Sequence, residues 1–297
     1  MSKLIITQYT DPMCIWCYGL EPALRKVELL LGNDVEFHNI MGLLVGDVKE
    51  IIGDGPFAAM KYEQLRAQMT AHFHDAANRS GMPISAEHMK THKAEDVTSL
   101  YMSLAYEAMK QHSEETANKY LRRMREAAHS DDMIAQRPEV LAELATEFGF
   151  DKDEFEKDIL GEDARKALDI DLRISHADGV RSFPTMKIRY GDREVMVNGY
   201  MPYEQLKRII EEVSEGKIEL KDVEATPEAM AAFISKYKRV AAKELAVAFS
   251  LDDKSLNEAV DLLLASGLYE KQARGTSYFI VDTASLVCDP VTGTCHF

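Results

Sequence analysis

The apolar run Leu4–Tyr9 is stopped by Asp11-Pro12 and gives way at once to a helical pattern that carries Cys14 and Cys17 at its start. Short, β-branched and bounded by turn residues, the run reads as a buried strand. Beyond Cys17, Leu20, Leu24, Val27 and Leu31 recur at three- and four-residue spacing. That spacing predicts a helix ending near Gly32, with Pro22 kinking it from inside. Val35–Met41 predicts a second strand. Strand, helix and strand in so little chain form a βαβ unit with a right-handed crossover.

The pattern then turns helical over Pro56–Ala77, Asp96–Gln111, Ser113–Ala128, Pro138–Phe148 and Glu162–Ala177, with Ser113 ahead of Glu114-Glu115 as a helix start. Strand character returns at Pro184–Tyr190, turns at Gly191-Asp192 into Arg193–Asn198, and is followed by a helix over Pro202–Ser214. A β-α-β start and a β-β-α finish, separated by helices, is the connectivity of a thioredoxin-like α/β fold with an inserted all-helical domain. An ordinary α/β domain with extra helices is the alternative. The expected division is 1–48 with 179–215 for the thioredoxin-like domain and 49–178 for the insertion. Gly216–Pro227 is charged and polar and reads as a boundary. Three short helices over Glu228–Val240, Lys243–Phe249 and Ser255–Ser266, then a hairpin around Arg274-Gly275-Thr276, predict a winged-helix-like module at 222–283. Residues 284–297 are read as a tail.

A winged helix invites a DNA-binding reading, and charge argues against it. The chain carries 35 basic and 50 acidic residues, a formal charge of −15, which repels phosphate backbones on average. The expected recognition helix contains Glu258 and Asp261 against Lys254 just before it, and Lys236, Lys238, Arg239, Lys271 and Arg274 make only a modest patch. Protein contact or self-association is the better expectation for this module. No apolar run approaches the length of a membrane span, and polar Gln8, Thr10 and Asp11 interrupt any signal-peptide pattern. We expect a cytoplasmic protein without membrane partners.

In a reducing cytoplasm a close cysteine pair points to catalysis or metal rather than to a staple. Placed between a strand and a helix start, Cys14 would face unpaired N–H groups that favour its thiolate, stay exposed, and attack a disulfide; Cys17 would resolve the product. Half of a zinc site and two inert buried thiols are the other readings. Cys288 and Cys295 have an unusual spacing for zinc, and His88 and His92, like His72 and His74, have no evident link to either pair, so no metal is expected. Trp16, the only tryptophan, offers a flat apolar contact for substrate. Ser182-Phe183-Pro184-Thr185 precedes the hairpin strand, where Pro184 is compatible with sheet pairing or with a cis peptide beside the sulfurs. Cys288 and Cys295 flank a turn-rich loop and are read as a second redox pair, a regulatory disulfide, or thiols without a role.

Asp11-Pro12-Met13-Cys14-Ile15-Trp16-Cys17-Tyr18-Gly19, with Glu21-Pro22 and Leu24, resembles the active-site segment of cytoplasmic DsbA-family proteins, in particular the FrnE-like branch. Gly179-Val180-Arg181-Ser182-Phe183-Pro184-Thr185 resembles that family's cis-proline loop. The resemblance covers about residues 1–215 and implies a thiol–disulfide oxidoreductase or isomerase of protein or peptide substrates. Cys14 would be the nucleophile, Cys17 the resolving thiol and Pro184 the cis-proline, with Trp16, Phe183 and Thr185 toward substrate. It implies no bound cofactor beyond the redox pair, with glutathione or another thiol as exchange partner. Ile15 stands where many relatives carry proline, and Phe183 where valine or threonine is frequent. The region from about 222 resembles longer relatives that include adaptors delivering partners to proteolysis. A redox-sensitive adaptor is therefore the main rival to an enzyme, and a glutathione-linked transferase or isomerase a lesser one.

Overall fold

Residues 2–284 are described with their side chains in the structure, a computed structural model; of the tail only the backbone of 285, 287–288 and 295–296 is described. Strand β1 (Leu4–Thr10) leads through two short helices, α1 (Ile15–Gly19) and α2 (Glu21–Leu31), to β2 (Val35–Met41). β1 and β2 pair in parallel from Leu4 opposite Val35 to Thr10 opposite Met41. The chain then enters the helices α3 (Lys49–Ile52), α4 (Ala58–Ser80), α5 (Leu100–His112), α6 (Glu114–His129), α7 (Pro138–Ala145), α8 (Lys152–Leu160) and α9 (Glu162–Ala177). It returns as the hairpin β3 (Thr185–Tyr190) and β4 (Arg193–Asn198), followed by α10 (Tyr203–Val213). The sheet order is β2-β1-β3-β4, with β3 antiparallel to β1. This is the thioredoxin-like connectivity expected, with the helical insertion between β2 and β3.

Local chemistry explains the element ends. Ser113 caps α6 by accepting from the Thr116 N–H at 3.2 Å, and Asp151 caps α8 from Glu154 at 3.0 Å. Sequence reading missed α8, because only Phe155 and Ile159 bury their side chains along it. The insertion holds its own core, in which Met102, Tyr106, Tyr120, Met124, Leu141 and Phe155 are at most 1% exposed. Each large apolar side chain buried this way contributes about 1.5–3 kcal/mol.

The C-terminal module runs α11 (Pro227–Tyr237), β5 (Arg239–Ala241), α12 (Ala242–Ala248), α13 (Asp253–Ala265), β6 (Tyr269–Arg274) and β7 (Ser277–Asp282). Its sheet, β5-β7-β6, completes a winged-helix arrangement; β5 was read as the end of a helix because it spans only three residues. The segment before it is strapped down rather than open. Leu220 joins the core beneath β1 and β3, and Lys26 on α2 ties Asp222 at 2.7 Å and the Ser250 hydroxyl at 2.7 Å.

The wing faces inward. Gly275 sits at φ +53°, and a Cβ there would lie 1.9 Å from the Ile84 carbonyl oxygen, so only glycine fits. Phe279, Val281 and Ala241 share one buried cluster with Ile15 and Tyr18 of α1 and with Phe73, Met82 and Ile84 of the insertion. The cations considered for DNA contact make pairs within the chain. Arg274 and Arg239 reach Asp131 at 3.1 and 2.7 Å, Lys236 reaches Glu28 at 2.8 Å, and Lys271 lies over the Tyr278 ring. In the tail, β8 (Val287–Cys288) pairs with β9 (Cys295–His296), placing Cys288 opposite Cys295 in register. The side chains of both cysteines, the expected second pair, lie outside the described residues. Among the described residues no helix is long and apolar enough to cross a membrane.

Candidate functional site

Cys14 is the N-cap of α1. Its Sγ accepts the Cys17 N–H at 3.3 Å, and its carbonyl accepts from Cys17 and Tyr18 at 3.1 and 3.2 Å. The approach to the cap is fixed by a buried carboxylate. Asp11 accepts the Met13 N–H at 2.8 Å and the Leu44 N–H at 2.7 Å, while its carbonyl accepts from Cys14 at 3.1 Å. Leu20 then separates α1 from α2, and Pro22 falls in the first turn of α2, where a helix needs no N–H donor. The kinked helix expected from the sequence is divided at Leu20, which keeps helical dihedrals and carries hydrogen bonds of both halves.

Both thiols are free and both are buried, Cys14 at 4% exposure and Cys17 at 2%. The expected exposed nucleophile is not what the structure holds. The insertion closes over α1, which packs against both α4 and α6. Burial also reverses the expected preference for a Cys14 thiolate. It pushes the Cys14 thiol well above its ordinary range, and the neighbouring Cys17 adds to the rise. Burial acts on Cys17 in the same direction, but the Cys14 thiol, the Arg125 guanidinium and the Thr10 hydroxyl outweigh it and lower that thiol. One proton therefore leaves the pair more readily than the second. Burial likewise raises Asp11, against hydrogen bonds from Ser99, Leu44 and Met13.

The Phe183–Pro184 peptide is cis. The Pro184 carbonyl accepts from Gly199 at 2.8 Å, and the tip of the Phe183 ring points at Gly42, where an added Cβ would meet its Cζ at 2.1 Å. Thr185 is buried, with its hydroxyl bonded to the Ser182 carbonyl at 2.7 Å and to Asn198 at 2.8 Å. Trp16 is half-buried. Its indole N–H meets His72 Nε2 at 2.9 Å, its ring sits 5.5 Å from Tyr200, and the Arg79 guanidinium lies 4.9 Å over it. His72, which the sequence links to neither cysteine pair, thus orients the tryptophan between Cys14 and Cys17. His88 and His92 are buried, and no cluster among the described residues could hold a metal ion.

Sequence reading missed the charges behind the pair. Arg125, Glu21, Arg122 and Glu244 all lie at or near full burial and pair with one another. The available signal was the four-residue spacing of Glu21 with Arg25 and of Arg122 with Glu126 on otherwise core-facing stretches.

A family model described as Thioredoxin matches residues 8–208. Among curated proteins, the ClpXP adapter protein SpxH of Bacillus subtilis is 26% identical over 254 residues, covering 84% of this chain and 79% of that protein. SpxH of Halalkalibacterium halodurans is 25% identical over 274 residues, covering 90% and 85%. Among solved structures, the cytosolic disulfide reductase DsbM from Pseudomonas aeruginosa superposes with a TM-score of 0.52 at 18% identity, covering 78% of this chain and 98% of that one. With an all-helical insertion between β2 and β3 the chain shares the fold of DsbA-like proteins, and it belongs to the thioredoxin family.

Proposed function

We propose that the chain exchanges disulfides with protein or peptide substrates through Cys14 and Cys17. The observation that carries this reading is the cap itself, with Cys14 Sγ on the Cys17 N–H and the second sulfur one helical turn behind. In the reducing direction, Cys14 loses its proton as the opening that admits substrate relieves the burial that holds it protonated. Its thiolate attacks a substrate disulfide and forms a mixed disulfide, and one substrate sulfur leaves and takes up a proton. Cys17, as thiolate, then attacks the Cys14 sulfur, closes the Cys14–Cys17 disulfide and releases the second substrate thiol. Two electrons pass from the pair to the substrate, and glutathione or another thiol restores the pair. The reverse sequence oxidises a dithiol. Because both sulfurs are buried, the substrate reaches them only as the surrounding segments part; Trp16, Phe183 and the backbone at Pro184 and Thr185 border that opening. We place this chemistry in the cytoplasm, with Cys288 and Cys295 as a second pair that exchanges electrons with the first.

A specific observation supports a second reading. Relatives named as ClpXP adapters match over 84% and 90% of the chain, more than the thioredoxin-like part alone. In this reading the pair gates the binding of a protein partner. Insulin reduction and refolding of a scrambled protein at low molar ratio separate the two. Sustained turnover lost in Cys14→Ser supports the enzyme, whereas stoichiometric reaction with tight, redox-dependent partner capture supports the adaptor.

A further inference from the structure

A line of buried charge joins the thiol pair to the far end of the chain. Arg125, on the inward face of α6, is 3% exposed. Its Nη2 donates to the Thr10 hydroxyl, which lies against Cys17. Its Nη1 donates to Glu21 at 2.8 Å. Glu21 is shared with Arg122, and Arg122 reaches on to Glu244 at 2.8 Å. Glu244, on α12 of the C-terminal module, is fully buried, pairs with Arg25 at 2.8 Å and caps its own helix through the Ala241 N–H at 2.7 Å. Opposite charges alternate along the whole line.

We propose that Arg125 is the positioning cation of the Cys14–Cys17 pair, and that Glu244 of the C-terminal module sets how strongly the pair feels it. This rests on the exchange reading of the pair. A guanidinium beside a buried sulfur stabilises the thiolate, and salt screens that field weakly in a dry interior. Glu21 divides its charge between Arg125 and Arg122. With Glu244 neutralised, Arg122 draws harder on Glu21, and less of that carboxylate offsets Arg125. Asp11, from the loop before Cys14, also acts on the pair. Along the line, Arg25 of α2 acts on Glu21 and Glu244, Glu126 of α6 pairs with Arg122, and His129 of α6 lies near Arg125. Asp11 disfavours a Cys14 thiolate, and His129 is held neutral.

The test is the thiolate ultraviolet absorbance of the full-length reduced chain against pH, with the Cys14→Ser, Cys17→Ser chain as blank, joined to the equilibrium with glutathione. Arg125→Met should raise the titration midpoint by about one pH unit, which at a pH above both midpoints moves the glutathione equilibrium about tenfold toward the disulfide. Arg125→Lys should restore most of that shift. Glu244→Gln, whose amide oxygen still caps α12, should move the midpoint down. Loosened packing would shift both variants the same way, so a common direction, or an unmoved midpoint in Arg125→Met, overturns the proposal. If Arg125→Met does not fold, Glu244→Gln decides: an unmoved or raised midpoint overturns it. No protein substrate enters this titration. Failure to turn over insulin would sink the exchange reading and leave the role of Arg125 to be judged separately.

Discussion

Mild acid should destabilise this fold through a histidine that has no place for a charge. His129, at the end of α6, is 1% exposed and packed between the Tyr18 and Phe73 rings, each 5.7 Å away. The Pro12 carbonyl faces the ring, but neither ring nitrogen has a hydrogen bond of ordinary geometry. Burial, with His88 and Arg125 nearby, pulls its pKa down from 6.5 to about 3. Between those values the unfolded chain binds a proton that the folded chain refuses, so stability falls as pH drops below about 6.5. At pH 5 the unfolded imidazole is almost fully charged and the folded one neutral, a cost of about 2 kcal/mol from this residue. His92, held at about 4 chiefly by burial, adds a similar amount. The buried Glu107, pushed up to about 8 by burial and by Asp171, works the other way over this range. Urea unfolding of the wild type and of His129→Phe at pH 7 and pH 5 isolates the effect, because Glu107 and His92 are common to both chains. The wild type should lose about 2 kcal/mol more than the variant between the two pH values. Equal losses would refute the reasoning.

Three further outcomes follow from the geometry. Gly275→Val meets both a positive φ and the Ile84 carbonyl, so it should undock the wing, lower Tm and open residues 222–283 to limited proteolysis. A resistant variant with wild-type Tm would contradict the inward wing. Ser113→Ala removes the cap of α6 and should cost about 1 kcal/mol in urea unfolding, with glycine at that position costing only a few tenths. Trp16 is the sole tryptophan and neighbours both sulfurs, so oxidation should quench its emission reversibly; a change that persists in Cys14→Ser, Cys17→Ser would assign the signal elsewhere.

The thioredoxin-like frame was legible because its signals are local: Leu4–Tyr9 is a short, largely apolar stretch, Val35, Phe37, Ile40 and Met41 mark a second strand, and Thr185–Asn198 turns at a Gly-Asp pair. The cysteine pair and its proline loop were legible for the same reason. What escaped notice depends on partners distant in sequence. Arg125 and Glu244 look like ordinary surface charges until α6 and α12 bring them together, since a charged residue reads as exposed by default. Cys14 reads as exposed at a helix start until α4 and α6 close over it. β5 is three residues long and becomes a strand only by pairing with β7.

The shared cluster beneath the wing also bears on synthesis. Ile15 and Tyr18 belong to α1, while Phe279 and Val281, which share their buried cluster, lie in the last strand of the C-terminal sheet. A chain growing from its N-terminus therefore carries α1 with an open apolar flank until β7 has left the ribosome. A shortened chain ending at α10 would keep that nascent condition permanently, with a hydrophobic face on α1 and Arg122 left to Glu21 and Glu126 alone.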